Sequence, residues 1–242
     1  MPSATVANQA PLQAKRVSLG IIFPAAWKWS CRIRHDHLYV ILDIFSRYVV
    51  GWMVALRESA ELAEQLIAET IAKQHIAPGT LTLHADRGTS MRSKTVAQLL
   101  IDLDVARTHS RPHVSDDNPY SESQFKTLKY RPDFPERFGS LEDARAHCQR
   151  FFHWYNSDHR HSGIGLMTPN AVHYGTAETM QVQRAHVLQQ AYAANPLRFK
   201  GRLPQPPALP TAAWINPPKE AKPTENYTPC SLISVHRVSQ ND

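Results

Sequence analysis

Cysteine is scarce in this chain. The three present in 242 residues (Cys31, Cys148 and Cys230) are far apart and odd in number. They form no disulfide framework and no zinc-ligand spacing, so a reduced, cytosolic compartment is the expectation. No run approaches the ~18 apolar residues that a membrane span requires. No secretory signal, internal repeat or upstream helix-turn-helix specificity domain is visible. Acid is missing from the whole of the first 35 residues: Asp36 is the first carboxylate, whereas Lys15, Arg16, Lys28, Arg32 and Arg34 precede it. Residues 1–13 are small, polar and without period. Residues 1–35 therefore read as a poorly ordered basic leader, with a DNA-contacting arm as the sharper alternative. The net charge of +6 and the isoelectric point near 9.3 point to an anionic partner, of which DNA is the commonest.

From residue 36 the chain has the periodicities of a packed α/β domain. Leu38-Tyr39-Val40-Ile41-Leu42 is continuously apolar, as in a strand covered on both faces. Asp43-Ile44-Phe45-Ser46-Arg47 supplies turn chemistry, and Tyr48-Val49-Val50-Gly51-Trp52-Met53-Val54 is β-branched and aromatic, a second strand. Ser59 caps a helix over 60–74 with Leu62, Leu66, Ile67 and Ile71 inward. Residues 80–84 form the next strand, 93–103 a helix, 105–110 a short strand, 119–129 and 140–155 helices, and 177–193 a last helix. Phe151, Phe152, Trp154 and Tyr155 read as core packing rather than a base-stacking platform. His159 and His161 are clustered in a polar, basic segment and could bind a metal. Nine of the 18 prolines fall between Pro196 and Pro229, so the end of the chain is expected to be extended or disordered. The expected organisation is a leader over 1–35, a core over 36–175, and a helix followed by a Pro-rich tail over 176–242.

Two acids stand out. Asp86 follows the β-prone run Gly79-Thr80-Leu81-Thr82-Leu83-His84, and Glu122 lies in the first turn of the helix opened by Pro119. Taken singly, each has an ordinary reading: Asp-Arg-Gly is a common turn, and Glu is favoured near a helix N-terminus. Together, a carboxylate at a strand end and one on a helix can share a pocket and hold a hard divalent cation such as Mg²⁺, or Mn²⁺ in its place. Lys126 and Lys129 follow Glu122 at i+4 and i+7, on one helical face. They are either ordinary ion-pairing residues or the cations beside which a phosphate backbone lies.

His84-Ala85-Asp86-Arg87-Gly88 and Asp117-Asn118-Pro119-Tyr120-Ser121-Glu122-Ser123-Gln124-Phe125-Lys126-Thr127-Leu128-Lys129 resemble the second and third acid blocks of DDE transposases. Within these they are closest to the bacterial insertion-sequence transposases of the IS-three group, whose core is similar to retroviral integrase. The 35 residues between Asp86 and Glu122 match that family's spacing. Residues 38–52, Phe152-His153-Trp154-Tyr155-Asn156 and Thr168-Pro169 match further blocks. The resemblance implies a ribonuclease-H-like mixed five-stranded sheet flanked by helices, and a structural loop role for His159 and His161. It also implies metal-dependent phosphodiester cleavage and strand transfer in DNA integration, with Asp86 and Glu122 as catalytic and metal-binding residues and Lys126 and Lys129 on DNA. The partners it implies are element ends and target DNA, with a second copy or another transposase subunit, in a cytoplasmic, nucleoid-associated setting.

In one respect this sequence departs from the family. Its members carry a first catalytic Asp in a Trp-Asp strand upstream of residue 38; here Trp29 is followed by Ser30 and Cys31. The expectation is a truncated chain whose first strand is missing or imperfect and whose catalysis is impaired. Asp43 and Asp36 are then the possible substitute acids. Asp36 is placed just outside the 38–42 strand, and Asp43 in a turn with Arg47 as its salt-bridge partner.

Overall fold

The computed structural model of the protein describes residues 17–22, 29–30, 35–85, 93–109 and 119–215. In chain order these form β1 (Val17–Ile22), β2 (Trp29–Ser30), β3 (His35–Asp43), β4 (Val49–Ala55), α1 (Ala60–Lys73), β5 (Leu81–Ala85), α2 (Lys94–Asp102), β6 (Ala106–His109), α3 (Pro119–Lys129), α4 (Leu141–Ser157), α5 (Pro169–His173) and α6 (Ala177–Ala194). The class is mixed α/β, as expected.

The sheet runs β4-β3-β1-β5-β6. Strand β3 is antiparallel to both β1 and β4, while β5 lies parallel to β1 and β6 parallel to β5. Three expectations are corrected here. The first strand is present: Val17–Ile22, drawn from the supposed leader, is the central strand, paired with β3 on one side and β5 on the other. What β1 lacks is the acid, for its sequence is Val-Ser-Leu-Gly-Ile-Ile. The strand count is six rather than five, because the two-residue β2 pairs with the start of β3. That pairing opposes Trp29 to Asp36, so Asp36 lies within β3 and not outside it.

Alternation along β3 explains its continuous apolar run. Tyr39 and Ile41 enter a core formed with Ala63, Leu66 and Ile67 of α1 and Val96 and Leu100 of α2. Leu38, Val40 and Leu42 enter a second core with Phe125 and Leu128 of α3 and Phe151, Phe152 and Tyr155 of α4. A strand sandwiched between two helical layers has no solvent face and needs no polar alternation. The helices start where their caps dictate: the Ser59, Ser93 and Ser140 side chains accept from the backbone N–H of Leu62, Val96 and Asp143. Helix α1 lies close over β4, where a β-carbon on Gly51 would overlap Thr70 Oγ1. On the other side of β4, the Asn156 amide reaches Val49, accepting from its N–H at 2.9 Å and donating to its C=O at 3.1 Å.

Candidate functional site

Helix α3 is amphipathic in the way a site helix needs. Ser121, Gln124, Phe125 and Leu128 are buried against the sheet, while Glu122, Lys126 and Lys129 are exposed. At 100° per residue these three fall within a sector of about 60°, one flank of the helix. Strand β5 points its odd residues, Leu81, Leu83 and Ala85, into the α1/α2 core. Alternation turns Thr82 and His84 to the opposite face, where α3 packs. His84 Nδ1 there lies 2.9 Å from Thr108 Oγ1, its neighbour across the β5–β6 rung. Asp86, the residue after Ala85, lies outside the described residues, as does the 111–117 loop. Among the described residues, no group of three His, Cys, Asp or Glu side chains converges to hold a metal.

The two possible substitute acids both lie on β3. Asp36 has its backbone in the β2–β3 rung. Asp43, buried at the end of β3, accepts hydrogen bonds from Phe45 N–H at 3.0 Å and from the fully buried Ser46 hydroxyl, and lies 3.1 Å from His173 Nδ1. Among the described residues its long-range side-chain partner is thus His173 of α5, 130 residues on, rather than the Arg47 side chain. His173 in turn reaches Gln74 Oε1 at 3.1 Å through Nε2 and stacks on Tyr48 with ring centroids 4.5 Å apart. The cluster ties the β3–β4 turn to the end of α1 and to α5.

Arg47 takes a different place. It adopts φ 65° in the turn and lays its guanidinium 3.8 Å over the ring of Tyr120, in the first turn of α3. Burial pulls its pKa below the usual arginine range. The Tyr120 hydroxyl donates to the Trp214 carbonyl at 2.9 Å, so the extended C-terminal segment reaches back to the start of α3. No local pattern announces these contacts, since their partners are far apart in sequence. They flank α3 on the side away from Glu122.

Behind α3, His161 meets the buried Tyr155 edge-on, at 4.9 Å, and His159 at 4.3 Å. Burial chiefly, then His159 and Arg47, push its pKa down to about 4. His159 and His147 are lowered too, also mainly by burial. A histidine held neutral in the folded state binds fewer protons than the unfolded chain at any pH between its two pKa values. Stability should therefore be flat above about pH 6.5 and fall as pH drops from there toward 4. Thermal melts across that window test this, with His161→Asn expected to flatten the slope. A wild-type midpoint that stayed level to pH 4.5 would contradict the neutral assignment.

Comparison with known proteins bears on this geometry. Two family profiles described as Integrase core domain match residues 27–115 and 103–169. The transposase for insertion sequence element IS904 of Lactococcus lactis subsp. lactis (strain IL1403) is 29% identical over 134 residues, which is 55% of this chain and 53% of that protein. Transposase InsF for insertion sequence IS3A of Escherichia coli (strain K12) is 30% identical over 134 residues, 55% of this chain and 46% of the relative. The chain thus spans about half the length of the curated relatives it matches. Among solved structures, the catalytic core domain of BIV integrase aligns with TM-score 0.48 at 18% identity, covering 69% of this chain and 99% of that one.

Proposed function

Because the chain belongs to the integrase-core family of insertion-sequence transposases, we propose that it is the DNA-engaging core of an IS-three-group transposition system on a ribonuclease-H-like fold. The observation that carries this reading is the exposed Glu122–Lys126–Lys129 flank of α3, on the sheet face toward which the even positions of β5 point. The order and directions of the sheet strands support the fold assignment. Element ends and target DNA are the proposed substrates, and the acting form is an assembly with a second copy or another transposase subunit. No helix among the described residues is long and apolar enough to cross a membrane. The proposed setting is the cytoplasm, at the nucleoid.

Asp86 and Glu122 are the residues that would hold a hard divalent cation, Mg²⁺ or Mn²⁺. Such ions activate an attacking oxygen and stabilise a leaving one in phosphodiester chemistry. The donor set is short for a pair of ions. Two carboxylates balance one divalent charge, and β1 contributes none. The chain's own residues therefore suit DNA binding better than joining. The acid-free β1 favours a second reading as well: a catalytically inactive remnant that binds DNA or assists assembly. Lys126 and Lys129 hold the phosphate backbone against α3 in both.

The test is salt dependence of duplex binding. Binding should show little sequence preference and weaken steeply with salt. The Lys126→Ala/Lys129→Ala variant should lower the slope of log K against log salt by roughly 1.8, two phosphates' worth of released counterions. Absence of DNA binding, or a slope indifferent to these lysines, would refute the proposal.

A further inference from the structure

Beyond the α3 flank, the far end of α6 carries a second basic surface. Between Glu178 and Glu220 the sequence contains no Asp or Glu. Helix α6 buries only its first residue, Ala177. Its base is anchored by Arg184, which donates to the Gly165 and Leu166 carbonyls at 3.0 Å each, and by Gln181, which donates to the Pro207 carbonyl at 3.0 Å. From Arg184 the helix continues for about 15 Å at 1.5 Å per residue before the 3₁₀ turn Pro196–Phe199 closes the arm.

That tip is a built structure. Lys200 and Gly201 take consecutive left-handed conformations, φ 52° and 70°. Backbone bonds run from Lys200 N–H to Leu197 O (3.1 Å), Gly201 N–H to Pro196 O (3.2 Å) and Arg202 N–H to Phe199 O (3.0 Å). The Tyr192 hydroxyl pins it to the helix through the Gly201 carbonyl at 3.1 Å. Arg198, Lys200 and Arg202 project from this turn, all exposed, beside Leu197, which is 88% exposed. None of the three cations is in an ion pair among the described residues.

Three cations within five residues, on a turn whose backbone is fixed and in a sequence stretch that carries no acid, match a run of phosphates. We propose that the α6 tip is a second duplex-DNA contact, binding the phosphate backbone apart from the α3 flank. The inference rests on the DNA-binding reading above and gives it a second anchoring point. A fixed turn loses little conformational entropy on binding, unlike a flexible basic tail. The exposed Leu197 adds an apolar contact of the kind that accompanies cations in minor-groove binding.

The experiment is a salt titration of the full chain on a labelled duplex, comparing wild type, R198Q/K200Q/R202Q and K126A/K129A. The tip triple should lower the salt slope by about 2.7 and leave the thermal midpoint unchanged, because no core side chain is altered. Combined with K126A/K129A, its effect should add. A wild type that fails to bind DNA removes the functional reading itself. A wild type that binds with the α3-dependent slope, beside a tip triple of unchanged slope, overturns the tip contact and leaves that reading standing. Loss by the triple of binding to anionic lipid vesicles, with DNA binding intact, would reassign the tip to a membrane surface and equally overturn the proposal.

Discussion

Strand transfer by the chain as it stands should be negligible with either Mg²⁺ or Mn²⁺, even on correct element ends, and a single substitution in β1 should raise it by orders of magnitude. The position follows from the sheet. The β1–β5 ladder pairs Val17 with Leu81 through Ile21 with Ala85, a constant offset of 64, and the same offset in sequence takes position 86 to position 22. Ile22→Asp is therefore the change that would return a third carboxylate to the proposed site. A metal ion's electrostatic stabilisation of a transition state is worth several kcal/mol, which at ~1.36 kcal/mol per decade amounts to roughly a thousandfold in rate. The measurement is joining of labelled terminal-repeat DNA by wild type, Ile22→Asp and, as the uncharged control, Ile22→Asn. A gain with Asn equal to that with Asp would dismiss the carboxylate explanation. Robust joining by the wild type, abolished by Asp43→Ala or Asp36→Ala, would show that one of these acids has taken over the role.

The second large effect is on stability. Asp43→Ala should cost about 3 kcal/mol, the order expected when buried polar groups lose a shared hydrogen-bond acceptor. For a domain of this size that is roughly 10 °C in thermal midpoint. The cost arises because the Ser46 hydroxyl, which is 0% exposed, and Phe45 N–H would both lose the carboxylate as acceptor, and its 3.1 Å contact with His173 Nδ1 would be broken. Asp43→Asn should cost less, since its side-chain carbonyl can still accept from Phe45 N–H. Urea titrations of the two variants and of His173→Ala measure this, and a double-mutant cycle isolates the Asp43–His173 coupling. An unchanged midpoint for Asp43→Ala would mean that the carboxylate is free for other work, and would reopen its candidacy as a metal ligand.

Much of the fold was legible because local signals agreed with tertiary need. The 38–42 run reads as a doubly covered strand and is one. The serine caps, the helix opened by Pro119 and the aromatic stripe of α4 also lie where their patterns place them. Strand β1 was misjudged for a physical reason. Val17, Ile21 and Ile22 have strand propensity, but what makes the segment a central strand is pairing with residues 40–43 and 81–85, supplied by distant parts of the chain. The absent acid makes the strand imperfect without removing it, because backbone pairing is indifferent to side-chain charge. Contacts such as Asp43–His173 and Tyr120–Trp214 join residues 130 and 94 positions apart and have no periodic signature.

The Asn156 amide has a consequence for what the protein does in a crowded solution. Among the described residues β4 is the outermost strand on its side of the sheet, and an outermost strand offers its free N–H and C=O groups to any passing chain. At Val49 both groups are already engaged, by a side chain that presents one donor and one acceptor as a neighbouring strand would. A foreign strand docking there must first displace Asn156 from a buried position. The helix that helps form the core thereby also guards the sheet against runaway edge-to-edge polymerisation.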